Sequence, residues 1–268
     1  MPLIHYRIAG YVITIALHVT NMIVMMSSFH GDVMTNAFVR HFHEMQFYFF
    51  TCWTFTFQTV YAIVALCCDI LTLKNSKNLD YELPKTLANS RDAIFAVLVW
   101  PATMFVSSVF WSFFHYDRSL LYPADIDIAI SSTSNHIMHT FIVISTLWEM
   151  MFRPRTEPKD HTWYRIWMWI FEGIYIVTLV AVYAFKGVWV YPIFGILLGS
   201  VYFYMFFVWV GVMVVFIYHA QWAINDFLWV PSGGPRSRAC AMAQCLQGSL
   251  KSLVWGSSDS RKLSDKAM

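Results

Sequence analysis

Six long apolar stretches recur along the chain, and they limit what it can fold into more than any other feature does. Each is near the ~20 residues that a helix needs to cross ~30 Å of hydrocarbon. The stretches are Ile8–Ser28, Phe47–Leu71, Asp92–Phe114, Ile128–Met150, Trp163–Phe185 and Ile193–Ala223. Of the 268 residues, 58% are hydrophobic and only 13% are charged, whereas soluble domains have roughly 25% charged residues. We therefore predict an all-α, polytopic membrane helix bundle with six transmembrane helices.

The basic residues divide unevenly between the two sides that six spans would define. The N-terminus, the second and fourth loops and the C-terminal tail hold 15 of the 18 Lys and Arg residues. The other loops hold only Arg40, Arg118 and Lys186. An excess of Lys and Arg marks the cytoplasmic side of a membrane protein. Both termini are accordingly predicted to face the cytoplasm.

The loops between these stretches are too short to form a separate soluble domain. We predict a transmembrane domain over residues 1–229 and a cytoplasmic, largely mobile tail over 230–268, where the chain turns rich in Ser and Lys. The first stretch could instead be a signal peptide. Its length, and the polar His18 and Asn21 within it, favour a retained helix. Nothing in the sequence indicates binding to nucleic acid.

Ionisable side chains inside membrane spans are costly, so the few present indicate candidate functional sites. The fourth stretch contains "SNHIMHTF", with Asn135, His136 and His139. Their i, i+3 and i, i+4 spacing predicts that all three lie on one face of a helix. Asn135 or His136 is then placed to hold one ring nitrogen of His139 and make the other basic. His18 and Glu172 are further mid-span ionisable residues.

Three interpretations of this cluster remain open on spacing alone. The side chains could hold helices together by hydrogen bonds. They could bind a metal or haem, for which an His-x-x-His pair alone is weak support. A histidine base could also activate a hydroxyl from another span. The second stretch has four threonines between Thr51 and Thr59, and spacing does not choose among them.

Four sequence elements, in order between Thr51 and Phe194, carry a resemblance to a known family. They are a Thr seven residues before the Gln of "TCWTFTFQTVYAIVALCCD", then "RDAIFAVLVWPATMFVSSVFWSFFHYDRSLLYP", "NHIMHT" followed by "EMMFRP", and "GVWVYPIF". The chain resembles the androgen-induced and androgen-dependent tissue-factor-pathway-inhibitor-regulating proteins. These are multi-pass membrane threonine hydrolases that act on fatty acid esters of hydroxy fatty acids.

The resemblance implies residue roles that spacing left open. It places the nucleophile at Thr51 and the catalytic histidine at His139, with Asn135 and His136 as supporting neighbours. It implies an intramembrane lipid ester hydrolase in the plasma membrane or endoplasmic reticulum that takes its substrate from the bilayer. No cofactor and no metal are predicted. A non-enzymatic lipid-binding or regulatory scaffold is the alternative.

One geometric difficulty follows from the predicted boundaries of the spans. They place Thr51 about four residues and His139 about eleven residues below the outer surface, an offset of ~10 Å at 1.5 Å per residue. The pairing therefore requires a helix tilt, or a second helix that begins before Phe47. Glu172, a mid-span carboxylate, is a further candidate for a group that orients a histidine.

Overall fold

The computed structural model describes residues 2–78 and 80–229, and its regular secondary structure is entirely helical there. The predicted tail, residues 230–268, lies outside the described residues. The α-helices are α1 (Pro2–Ser28), α2 (Ala37–Met45), α3 (Phe50–Lys74), α4 (Lys85–Ile94), α5 (Trp100–Asp117), α6 (Ser132–His136), α7 (Ile142–Phe152), α8 (Thr162–Lys186), α9 (Pro192–Leu197) and α10 (Val201–Trp229). π-Helical turns at Phe95–Val99 and Ile137–Phe141 join α4 to α5 and α6 to α7.

Five of the helices in this part of the chain are long and apolar enough to cross a membrane. They span Leu3–Ser28, Phe50–Lys74, Lys85–Leu120, Thr162–Lys186 and Val201–Trp229. The predicted fourth span corresponds to residues 132–152, where α6, a π-helical turn and α7 run without a break. This stretch is not among the five, and it carries the two imidazoles and Glu149. The all-helical class and a membrane-protein architecture are thus established.

The predicted single helix over Ile193–Ala223 is interrupted, which corrects the sequence analysis. The short helix α9 ends at Leu197, and α10 begins only at Val201. Between them Gly199 has a φ of +84°, a conformation that glycine adopts without the steric penalty a Cβ would bring. The chain therefore changes direction here, and α9 packs Ile193 and Phe194 into the core near the C-terminal end of α5.

The bundle is built around α4–α5, the most buried of the five long helices. Helix α5 packs against α3, α7 and α10, while α1 lies against α3 and α7. The loop helix α2 buries Val39, Phe42 and Met45 against the core and contacts the 3₁₀ turn Ala124–Ile128. These loop segments form a cap over one end of the bundle.

The other end of the bundle is held by seven charged side chains, which we call the ionic cluster. They are Arg7, Asp69, Arg91, Asp92, Glu149, Arg153 and Arg155. Asp69 and Glu149 lie near the ends of predicted spans, where water could reach them, yet they are only 1% and 3% exposed. Glu149 accepts hydrogen bonds from the hydroxyls of Tyr11 and Tyr61, both at 2.5 Å, and from Arg155 at 2.9 Å. Tertiary packing encloses these carboxylates because each finds an arginine partner there.

Gly10 marks the closest approach of α1 to α7, and it provides a test of this packing. A Cβ at Gly10 would lie 2.6 Å from Cδ1 and 2.7 Å from Nε1 of Trp148, whose indole N–H donates to the Tyr6 carbonyl. We expect Gly10→Ala to lower the free energy of unfolding by about 1–3 kcal/mol, as overpacking does. Thermal unfolding in detergent measures this. Gly173→Ala is the control, since nothing lies within 4 Å of its Cβ; an equal effect of both substitutions would contradict the prediction.

Candidate active site

The Thr51 hydroxyl and the His139 imidazole meet at the inner wall of the bundle. Thr51 Oγ1 lies 3.3 Å from His139 Nε2, although 88 residues separate the two in sequence. Thr51 is the second residue of α3, and His139 is the middle residue of the π-helical turn Ile137–Phe141. Such turns occur often at functional sites. The two residues that the resemblance selected are therefore neighbours in space.

The hydrogen bonds of His139 define which of its nitrogens is basic. Nδ1 lies 3.1 Å from the backbone carbonyl oxygen of Asn135. A carbonyl can only accept, so Nδ1 carries the proton and donates to it. In the neutral ring Nε2 then has a free lone pair, which accepts the Thr51 O–H. The ring also stacks on Phe110 at 3.5 Å between centroids, so its orientation is fixed.

The predicted single face of Asn135, His136 and His139 is wrong for His136. The His136 side chain is exposed, bonds to Thr140 through Nδ1 at 3.2 Å and stacks on Trp111. The π-helical turn that follows has more residues per turn than an α-helix, so the two imidazoles diverge. Asn135 is buried, and its backbone carbonyl, not its side-chain amide, accepts the hydrogen bond from His139.

The expected ~10 Å depth offset between Thr51 and His139 does not arise, because the two side chains lie 3.3 Å apart. Both helices begin later than predicted: α3 begins at Phe50 and not at Phe47, and the helix that carries His139 begins at Ser132 and not at Ile128. Counted from these starts, His139 is still six residues further along its helix than Thr51, so the boundaries alone do not account for the contact. The two helix starts therefore do not lie at one level, and α2 and the 3₁₀ turn Gln46–Tyr48 of the cap precede α3.

The position of Gln58 gives a structural reason for the motif in which a Thr precedes a Gln by seven residues. Two turns of α3 place both side chains on the same side of the helix. The Gln58 amide nitrogen lies 2.8–2.9 Å from the Ile142 carbonyl and from the hydroxyls of Thr103 and Thr146. The buried Gln58 thus fixes α3 against α5 and α7, and α7 continues the helix that contains His139.

Two tyrosines hold the start of α3, and the sequence analysis did not single them out for this role. Tyr191 accepts a hydrogen bond from the backbone N–H of Phe50 at 2.9 Å. Tyr175 donates to the Tyr48 carbonyl at 3.0 Å and lies 3.1 Å from the Tyr191 hydroxyl. Because the Tyr175 proton is used, Tyr191 is the donor between the two. The "GVWVYPIF" element contains Tyr191, but nothing in the sequence links it to Phe50.

Thr51 and His139 line a large apolar cavity between α3, α5, α8 and α10. It contains about 1160 Å³ of space, open solvent at its mouth included. Its lining is almost entirely aromatic and aliphatic, with Phe105, Phe110 and Phe194 among the side chains. Glu172 also lines it. Both nitrogens of His139 are engaged elsewhere, so Glu172 does not orient that histidine.

Charged and polar groups stand near the cap end of this cavity. Arg118 forms an ion pair with Asp127 at 2.7 Å, and its guanidinium lies over the ring of Tyr122, a cavity residue. Burial, reinforced by the Asp127 carboxylate, raises the pKa of Tyr122 above its ordinary value. The phenol therefore stays protonated at neutral pH and can donate a hydrogen bond there.

His18 and His219, which could supply further metal or haem ligands from α1 and α10, have other surroundings. His18 stacks on Phe55 at 3.7 Å and lies 3.0 Å from the Thr59 hydroxyl through Nδ1. His219 packs against His161. Across residues 2–78 and 80–229, no group of three His, Cys, Asp or Glu side chains is arranged to hold a metal ion.

The fold and the site define a class: a helical, multi-pass integral membrane protein with a hydroxyl–imidazole pair on an apolar cavity. Residues 13–226 match the FAR-17a/AIG1-like protein family, and the chain belongs to this family. The resemblance stated from the sequence elements is thereby confirmed.

Individual relatives agree with this assignment. The human androgen-dependent TFPI-regulating protein is 33% identical over 184 residues, which cover 68% of this chain and 76% of that protein. The human androgen-induced gene 1 protein is 30% identical over 175 residues, 64% of this chain and 73% of that protein. The mouse androgen-dependent TFPI-regulating protein is 34% identical over 156 residues, 58% of this chain and 66% of that protein. The chain thus spans just under two thirds of the mouse relative. No solved structure matches the chain.

Proposed function

We propose that this protein is an intramembrane lipid ester hydrolase with Thr51 as nucleophile and His139 as general base. The observation that carries the proposal is the 3.3 Å approach of Thr51 Oγ1 to His139 Nε2 at the wall of an apolar cavity. A nucleophile within hydrogen-bond reach of a base that is itself oriented by a third group is the arrangement of covalent hydrolases. The Asn135 carbonyl is that third group.

The reaction proceeds in two halves. His139 Nε2 takes the hydroxyl proton while Thr51 Oγ1 bonds to the ester carbonyl carbon, whose π electrons move to oxygen. The tetrahedral intermediate collapses, the ester C–O bond breaks, and His139 returns the proton to the leaving alkoxide. Water, deprotonated by His139, then attacks the acyl carbon of the acyl-threonine; the bond from that carbon to Thr51 Oγ1 breaks, His139 returns the proton to Oγ1, and the fatty acid leaves. Each transfer uses Nε2 as the base and then as the acid.

The substrate class follows from the cavity. Aromatic and aliphatic walls favour long hydrocarbon chains, and a substrate with two acyl chains dissolves in the bilayer before it enters. Fatty acid esters of hydroxy fatty acids, the class implied by the family resemblance, have this form. The physiological membrane is proposed to be the plasma membrane or the endoplasmic reticulum.

A six-span arrangement with cytoplasmic termini is part of the proposal, and the ionic cluster supports it. The start of α1, the end of α3, the last turn of α4 and the end of α7 meet there through Arg7, Asp69, Asp92 and Glu149. Asn225, near the end of α10, bonds to the backbone of Arg155 at the same end. If residues 132–152 cross the bilayer, all of these helix ends lie on the same side of it, as six antiparallel passes require. The surplus of basic residues makes this end, and the tail at 230–268, cytoplasmic.

Removal of the base tests the proposal. We expect His139→Ala to lower kcat/KM for a palmitate ester of a hydroxystearic acid by roughly 10²- to 10⁴-fold, the usual contribution of a general base. Membranes carrying each variant are assayed for ester hydrolysis and for labelling by a fluorophosphonate probe. His136→Ala is the matched control, because its exposed ring faces away from Thr51, and it should keep wild-type activity.

The non-enzymatic alternative gives a different result in the same assay. A lipid-binding or regulatory scaffold would show no ester hydrolysis in the wild type above empty membranes, and no labelling that depends on His139. Equal labelling of wild type and His139→Ala would rule out the Thr51–His139 pairing.

A further inference from the structure

Asn21 is a buried amide close to Thr51 that the mechanism above does not use. It lies on α1 and is only 4% exposed, and its Nδ2 has no hydrogen-bond partner among the described residues. A buried donor without a partner lowers stability by about 1–3 kcal/mol, so its presence calls for a ligand or a functional role.

This amide faces a second, much smaller cavity that touches the nucleophile. The small cavity is lined by Asn21, Met22 and Met25 of α1, by Thr51, Cys52 and Phe55 of α3, and by Met138. Thr51 also lines the large cavity, as Met25, Cys52 and Met138 do, so the two cavities adjoin at these side chains. His139 lines the large cavity but is not part of the small one.

The position of His139 decides which reacting atoms face which cavity. The leaving alkoxide receives its proton from Nε2, and the later water loses its proton to the same nitrogen. Both must therefore lie on the His139 side of Thr51, in the large cavity. The carbonyl oxygen is the remaining polar atom of the tetrahedral intermediate, and the small cavity is the other space next to Thr51 that could receive it. The Asn21 amide, which has an N–H donor without a partner among the described residues, lines that cavity.

We infer that Asn21 is the oxyanion donor of the reaction, and this inference rests on the proposed function. As Thr51 Oγ1 bonds to the carbonyl carbon, the carbonyl π electrons move to oxygen, and the Asn21 Nδ2–H donates to the charge that forms. Thr51 is also in the first turn of α3, where backbone N–H groups point toward the helix start and favour negative charge. On collapse, the electron pair returns to the carbonyl, the ester C–O bond breaks, and Asn21 again has no partner.

The inference predicts a loss in the acylation step. Leucine has the same four branched side-chain heavy atoms as asparagine but no donor, and alanine removes the amide altogether. We expect Asn21→Leu and Asn21→Ala to lower kcat/KM by roughly 10²- to 10³-fold, the effect of one oxyanion donor. The rate of fluorophosphonate labelling should fall in parallel, because its phosphoryl oxygen occupies the same place. Hydrolysis assays in membranes measure kcat/KM, and time courses of labelling stopped at set intervals measure the labelling rate.

Thr14→Val is the matched control, since it removes another buried polar group two turns away on α1. It should keep wild-type rates, and thermal unfolding in detergent establishes that all three variants are folded. Normal labelling with accumulation of an acyl-enzyme in the Asn21 variants would mean that the small cavity serves water, and would overturn the inference. Unchanged rates in both variants would overturn it as well. Neither outcome bears on Thr51, whose own variants test the proposed function separately.

Discussion

Thr51→Ala is expected to reduce ester hydrolysis to the background of empty membranes, a loss of about 10⁴-fold or more. Removal of the nucleophile lowers the catalytic rate about as much as removal of all the catalytic residues together, because no covalent intermediate can then form. Fluorophosphonate labelling should disappear with it. Thr51→Ser should keep measurable hydrolysis and labelling, because the hydroxyl remains at the same atom position.

The other threonines of α3 supply the control. Thr56 is exposed, and its hydroxyl donates to the carbonyl of Cys52 at 2.8 Å. Thr56→Ala should therefore leave both activity and labelling unchanged. Hydrolysis that survives in Thr51→Ala but is lost in Thr56→Ala would show that another threonine is the nucleophile.

Glu149→Gln is expected to lower the free energy of unfolding by about 3–5 kcal/mol, the effect of breaking a buried ion pair. Glu149 is 3% exposed and is paired with Arg155 at 2.9 Å, and the buried guanidinium would keep only one counter-charge, Asp92, at the longer distance of 3.7 Å. Tyr11 and Tyr61 would also lose the carboxylate that accepts their hydrogen bonds. Thermal or urea unfolding in detergent, followed by tryptophan fluorescence, gives the difference.

The same substitution at an exposed site provides the comparison. Glu157 lies 3.4 Å from His161 and its side chain is 45% exposed. Exposed pairs contribute only about 0–1 kcal/mol, so Glu157→Gln should unfold almost as the wild type does. Equal midpoints for the two variants would mean that the ionic cluster does not hold this end of the bundle.

The threonines of α3 differ in the partners of their hydroxyls, and the sequence did not predict this difference. A threonine inside a helix bonds back to the carbonyl four residues earlier. Thr54, Thr56 and Thr59 all do so. For Thr51 that carbonyl belongs to Phe47, which lies before the helix and accepts the Trp53 indole N–H instead. The Thr51 hydroxyl is thus available to His139 because of where α3 begins. Hydropathy did not locate that residue.

The sequence by itself determined the helical membrane class, most of the long spans and the family. These follow from the length and composition of contiguous segments, which need no knowledge of neighbours. Through the family resemblance that its motifs carry, it also brought Thr51 and His139 forward as a pair.

Tertiary structure decided everything that depends on contacts between helices. The π-helical turn sends His136 outward and His139 inward, and the packing between helices brings the Thr51 hydroxyl to the His139 ring. Burial of Asp69 and Glu149 is stable only because arginines from distant segments converge on them. The unpaired amide of Asn21 likewise becomes visible only when α1 packs against α3, since a hydrogen bond left unmade is a property of the packed structure and not of the segment.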